Sequence, residues 1–181
     1  EDFASFIATD NEISGQLAGK EMARLLSGKG KVVVLRYNVG SASTEEREEG
    51  FLKAARAGGL EITSENRHAG ATVGEAKIKA LNMADDLKDA DGVFCPCEPV
   101  TTAMVLALDQ LGLSGKLKFV GFDVTPPLAD AVRNGKIDAL VVQNPRRMGE
   151  LAVEVAPIVD TGCAVVTKAN MDEPEIARLL K

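Results

Sequence analysis

Side chains able to form directed hydrogen bonds recur in this sequence just after short apolar runs. Asp10-Asn11 follows one such run, Gly40-Ser41-Ala42-Ser43-Thr44 leads from the next to Arg47, and Arg67-His68 follows a third. Cys97-Glu98, Asp123 and Gln143-Asn144 follow three more. A carboxylate accepts hydrogen bonds from two hydroxyls, a guanidinium donates in a fixed fork, and an amide does one of each. The set suits a polyhydroxylated ligand. Each member has a plainer reading too: Asp10 as a helix cap, Arg47 as a partner of Glu46 or Glu48.

Other chemistry is thinly represented. His68 is the only histidine, which excludes a multi-histidine zinc site and leaves a Ser-His-Asp hydrolase only that residue. Cys95-Pro96-Cys97 with His68 has no evident fourth ligand, so no metal is expected. The third cysteine is Cys163. The Gly40–Thr44 loop feeds a helix start and is a weak candidate anion site. It is neither G-x-G-x-x-G nor a phosphate-binding loop with Gly-Lys-Ser/Thr. No cofactor is implied, and the chain reads as a binding protein, not an enzyme. Asp85-Asp86 reads as a solvated charge pair.

Charge narrows the partners. The 181 residues carry 21 Lys and Arg against 27 Asp and Glu, a net −6. Tyr37 is the only tyrosine and tryptophan is absent. No basic patch or aromatic platform for nucleic acid follows from this. No apolar run approaches the roughly 20 residues of a membrane span.

The elements that must hold these side chains alternate regularly. Strands are expected at 5–8, 31–37, 60–64, 92–95, 116–122, 139–142 and 163–167. Helices are expected at 12–27, 43–58, 72–87, 98–112, 126–134, 146–155 and 174–180. Runs such as Val32-Val33-Val34-Leu35 are continuously apolar, as strands covered on both faces are. The fold class is therefore α/β, an open doubly wound parallel sheet with 32–35, 93–94 and 119–122 near its centre. In such sheets ligands bind beyond the carboxyl ends of the strands, where the polar set lies. Ser43 with Glu46 suggests a capping box, Gly112 and Gly135 suggest helix ends, and Pro126-Pro127 a helix start. Met148, Leu151, Ala152 and Val155 form one apolar stripe that Pro157 cuts short. An orphaned stripe of this kind implies mobility or an intermolecular contact at 146–157, with an abrupt join near Ala156.

Several motifs resemble the second lobe of type I periplasmic sugar-binding proteins, the solute receptors of ribose- and galactose-type ABC importers. They are Thr9-Asp10-Asn11 with Gly15 and Ala18-Gly19; Gly40 to Phe51; Val93-Phe94 with Glu98; Val120-Gly121-Phe122-Asp123; Val142-Gln143-Asn144-Pro145 with Met148-Gly149; and Asp160-Thr161-Gly162 to Asn170. Their order and spacing cover nearly the whole chain.

The resemblance implies one lobe of a two-lobe fold over residues 1–181, with 1–11 and 143–162 as the inter-lobe segments. It implies a monosaccharide ligand, ribose-like, held by Asn11, Arg47, Asp123 and Gln143. It implies membrane permease subunits as partners and a periplasmic location, free or lipid-anchored. Three departures stand out. The chain starts at the strand where the family crosses between lobes, so half the pocket is expected outside it. Cys97 stands where the family usually has asparagine. The stretch from Val155 to Pro157 is shorter than a helix and loop require. The ligand-sensing core of a LacI-type transcriptional repressor shares the fold and is the alternative, but no basic helix-turn-helix is present.

Overall fold

The structure is a computed structural model that describes residues 6–154 and 159–179. The chain runs β1 (Ile7–Ala8), α1 (Asn11–Leu25), β2 (Lys31–Arg36), α2 (Ala42–Ala57), β3 (Glu61–His68), α3 (Val73–Leu81), α4 (Ala84–Asp89) and β4 (Gly92–Phe94). It continues through α5 (Glu98–Leu111), β5 (Lys118–Phe122), α6 (Pro126–Arg133), β6 (Ala139–Gln143), α7 (Pro145–Glu154), β7 (Val159–Asp160), β8 (Cys163–Thr167) and α8 (Pro174–Leu179).

Six strands form one sheet in the order β3-β2-β4-β5-β6-β8. All neighbours are parallel except β8, which runs antiparallel to β6. The doubly wound α/β architecture expected from the apolar runs is the one observed, with β4 and β5 central. β1 and β7 form a separate parallel pair, Ile7 opposite Val159 and Ala8 opposite Asp160.

The continuous apolar runs resolve into two cores by parity, because successive strand side chains face opposite ways. Val32, Val34, Phe94, Val120, Phe122, Ala139 and Val141 meet the helical pair α1 and α2 on one face. Val33, Leu35, Val93, Phe119, Leu140 and Val142 meet Met83, Leu87 and the buried side of α5 on the other. Phe51 of α2 stacks on Phe94 of the central strand, centroids 4.0 Å apart and planes 2° from parallel. That stacking of apolar rings ties α2 to the middle of the sheet.

α1 and α2 approach each other more closely than side chains allow. A Cβ on Gly15 would land on the carbonyl of Arg47, and one on Gly50 would land on the carbonyl of Glu12. A Cβ on Gly19 would sit 2.6 Å from the carbonyl oxygen of Phe51. The three glycines let the two backbones touch at the end of the sheet where the polar side chains gather.

Some expected boundaries differ. β3 extends to His68, because Arg67 and His68 pair with Leu35 and Arg36 after two register shifts. Apart from Ile62, which packs against the core, its residues are polar, as an edge strand tolerates. The helix expected over 72–87 breaks at Asn82-Met83 into α3 and α4, with Met83 turning into the core. Asn competes for its own backbone and ends helices readily. The capping box belongs to Thr72 and Glu75 of α3; α2 starts at Ser41, whose side chain makes no cap bond. Gly112 closes α5 in a left-handed conformation, φ 67°, and Pro126 opens α6, both as expected. Along α7, Leu151 is buried, Met148 half-buried and Ala152 exposed. Part of that stripe thus finds cover within the chain. Val155 and the join near Ala156 lie outside the described residues.

The glycine contacts give a stability contrast. Gly15→Ala should destabilise the chain by about 1–3 kcal/mol through overpacking. Gly74→Ala, where a Cβ meets nothing within 4 Å, should stabilise it by about 0.5 kcal/mol. Denaturant unfolding of the two variants checks this; equal midpoints would show that α1 and α2 have room to separate.

Candidate functional site

The amino terminus of α1 is capped by Asp10, whose Oδ1 accepts from the Ile13 N–H at 2.9 Å. Asp10 therefore has the plainer of its two roles. The next residue, Asn11, turns its Oδ1 toward α2 and accepts from Arg47 Nε at 2.9 Å. Arg47 is only 6% exposed. Its Nη1 donates to the Pro96 carbonyl at 3.1 Å, and its guanidinium carbon lies 4.0 Å from the centroid of the Phe122 ring.

Burial pulls the Arg47 pKa down, while the nearby Asp123 charge opposes that shift. An arginine remains charged under such conditions. The cation is thus compensated by an amide, a carbonyl and an aromatic face rather than by a carboxylate in contact. These contacts use only part of the guanidinium's donor fork. The expected pairing with Glu46 or Glu48 does not form. Glu48 is occupied elsewhere: its Oε1 accepts from the Tyr37 N–H at 2.9 Å. Its Oε2 lies 3.1 Å from Arg36 Nε. That approach is off the N–H axis, so it is an ion pair without a hydrogen bond. Burial pushes the Glu48 carboxyl up.

Asp123 leaves β5 in a left-handed conformation, φ 64°. For a non-glycine residue this is sparsely populated backbone, held here by its surroundings. Its N–H donates to Val141 O at 2.8 Å, its Oδ2 accepts from the Glu98 N–H at 3.1 Å, and its Oδ1 accepts from Gln143 Nε2 at 2.6 Å. Thr101 pins the strand end just before it. Its hydroxyl accepts from the Phe122 N–H at 3.1 Å and lies 2.9 Å from the Cys97 carbonyl. Gly121 permits this approach, since a Cβ there would sit 2.5 Å from Thr101 Cγ2.

Gln143 completes the network by accepting from Thr9 Oγ1 at 3.1 Å. The Gln143 amide thus presents its NH2 to Asp123 and its oxygen to Thr9. Thr9 is 4% exposed and immediately follows β1. Cys97, at the N-cap of α5, is 7% exposed and makes no side-chain cap bond. Burial raises its pKa to about 12, with both Asp123 and Arg47 close enough to act on it. At neutral pH it is a thiol, not a thiolate.

The structure thus brings Asn11, Arg47, Cys97, Asp123 and Gln143 to one rim at the carboxyl ends of the strands. It leaves other strand-end residues apart. Arg67 and His68 lie within edge strand β3. Asn144 accepts from the Arg147 N–H at 3.0 Å and starts α7. At the Gly40–Thr44 loop, Glu45 Oε1 already accepts the Gly40 N–H at 2.6 Å, which puts a carboxylate where an anion would bind. A groove lined by Arg146, Arg147 and Arg178 with Glu150 and Glu175 lies beyond α7 and contains none of the five. Among the described residues no cluster of His, Cys, Asp and Glu could hold a metal ion. Thr9, Phe122 and Pro96 appear in the sequence reading only as motif neighbours and Thr101 not at all; their positions beside strand ends are the signal for a site role.

Comparison with known proteins follows this geometry. Residues 1–159 match the family model of the periplasmic binding protein domain. The ribose import binding protein RbsB of Salmonella typhimurium is 31% identical over 175 residues, 94% of this chain and 57% of the relative. A solute-binding protein of an ABC transporter from Agrobacterium vitis, solved with bound D-fucose, superposes with a TM-score of 0.90 at 33% identity, covering 98% of this chain and 64% of that one. A carbohydrate transporter solute-binding protein from Agrobacterium radiobacter, in complex with D-arabinose, gives 0.88 at 30% identity, covering 99% and 66%. The chain spans a little over half the length of the curated relative. With its doubly wound sheet, its polar strand-end rim and a family match over most of its length, the chain belongs to the periplasmic binding protein domain family.

Proposed function

We propose that this chain is one lobe of a two-lobe receptor that binds a monosaccharide in the periplasm and delivers it to the membrane permease of an ABC importer. The observation that carries this reading is the rim itself. Four separate strand ends contribute a guanidinium, a carboxylate and two carboxamides, held in two neighbouring hydrogen-bonded groups, Asn11 with Arg47 and Thr9 with Gln143 and Asp123. A sugar hydroxyl donates to Asp123 and accepts from Arg47, so a ring with adjacent hydroxyls satisfies both charges at once. The sugars named for the relatives and solved structures, ribose, D-fucose and D-arabinose, have this pattern.

The separate β1–β7 ladder supports 1–11 and 143–162 as the inter-lobe segments. β1 runs into Thr9, whose hydroxyl bonds Gln143 of the rim, and Thr161 donates from both its N–H and its hydroxyl to Ala8 O at 3.3 and 3.2 Å. A second lobe closing over the rim would exclude water from it by a hinge motion. A net charge of −6 gives no support to nucleic acid as a partner. Among the described residues no helix is long and apolar enough to cross a membrane, so the permease is a separate partner in this reading. The repressor alternative gains no support from the relatives named above.

Isothermal titration of the full-length protein with aldopentoses and aldohexoses tests the proposal. One or more should bind saturably. Arg47→Ala should then weaken binding at least about tenfold, the loss of hydrogen bonds to a charged group. Unchanged affinity in that variant would remove Arg47, and with it the rim, from the binding site. Thr9→Val should weaken binding about fivefold by freeing the Gln143 amide to rotate, while Thr9→Ser keeps affinity close to the parent.

A further inference from the structure

Four of the five rim residues form strong, directed hydrogen bonds, and the fifth does not. We infer that Cys97 determines specificity, and that the site takes a sugar presenting a C–H or a deoxy carbon, not a hydroxyl, to this part of the rim. The inference rests on the reading of the rim as a sugar site and narrows its substrate class.

The surroundings of Cys97 leave little for a hydroxyl to bond with. The thiol is protonated, so it offers only a weak donor and a weak acceptor. It makes no side-chain cap bond to α5, though the Val100 N–H lies near enough to act on the sulfur. The other backbone groups nearby are already used. The Glu98 N–H donates to Asp123, Pro99 has no N–H, and the Thr101 N–H donates to the Cys97 carbonyl at 2.9 Å. The Pro96 carbonyl accepts from Arg47. Apart from the Val100 N–H, which lies against the sulfur itself, the first turn of α5 therefore has no free donor to compensate for the cysteine.

Arg47 bonds the Pro96 carbonyl and Asp123 bonds the Glu98 N–H, the residues on either side of Cys97, so a ring that spans those two charges passes over this residue. A hydroxyl set against it would give up its bonds to water and regain only a weak one. A carbon bearing hydrogen loses nothing there and gains contact with a polarisable sulfur. Discrimination of this kind, an added hydroxyl against an apolar wall, reaches one to two orders of magnitude.

The test is a set of titrations of the full-length protein with matched sugars differing by one hydroxyl replaced by hydrogen: D-galactose and D-fucose, D-ribose and 2-deoxy-D-ribose, D-glucose and 2-deoxy-D-glucose. One deoxy sugar should bind at least about fivefold tighter than its parent. Cys97→Ser should abolish or reverse that preference and leave the other pairs as they were. Cys97→Ala, which keeps the wall apolar, should retain the preference, so a general loss of folding in either variant cannot mimic the result. Parent sugars that always bind as tightly as their deoxy partners would overturn the inference. So would a Cys97→Ser variant that shifts every pair equally. Failure of all six sugars to bind would instead overturn the underlying reading of the rim, and the inference with it.

Discussion

The contact between two helix backbones governs the rest of the site. α1 and α2 touch where Gly15 faces the carbonyl of Arg47 and Gly50 faces that of Glu12. Helices usually keep axes 8–10 Å apart because side chains intervene. Here the glycines remove them at the end of the helix pair nearest the strand termini. Asn11 begins α1 and Arg47 lies early in α2, so their side chains meet at hydrogen-bond distance only if the backbones do. The stacking of Phe51 on Phe94 then fixes this pair against the central strand. A chain of packing contacts thus runs from the sheet centre to the guanidinium.

The handling of charge follows from that placement. A buried guanidinium beside a carboxylate normally forms a direct ion pair, which would consume both groups. Here the Asp123 oxygens accept from the Glu98 N–H and from Gln143, while Arg47 donates to Asn11 and Pro96. Neutral dipoles hold each ion at its place, and the two remain available to a ligand. The left-handed backbone at Asp123 belongs to the same economy. It costs conformational energy, and it is held by the Val141 hydrogen bond and the Thr101 anchor.

Much of this was legible in the sequence. Continuous apolar runs implied strands covered on both faces, and the strand-end rule pointed to the residues after each run. What remained hidden has physical causes. β3 carries no apolar run in its second half, because an edge strand beside solvent needs none; its length is set by pairing with Leu35 and Arg36. α3 ends at Asn82, a residue type that caps helices readily, within a stretch whose apolar spacing continues through Met83 and Leu87. Asp10, Asn11 and Thr9 are three consecutive polar residues, and only the packed structure assigns them to cap, rim and amide orientation. Cys97 was visible as an unusual residue in its motif, yet its neutrality comes from burial, which no local spacing discloses.

The central claim is that these strand ends together form the surface on which a sugar rests. A crystal structure of the full-length protein with its tightest-binding monosaccharide tests it most directly. The account predicts sugar oxygens within about 3 Å of the Arg47 guanidinium, Asp123 Oδ and Gln143 or Asn11 side-chain atoms, with ring carbon rather than a hydroxyl over Cys97 Sγ. A sugar bound elsewhere, such as in the groove lined by Arg146 and Arg178, with the Asn11–Arg47 and Asp123–Gln143 hydrogen bonds untouched, would contradict it.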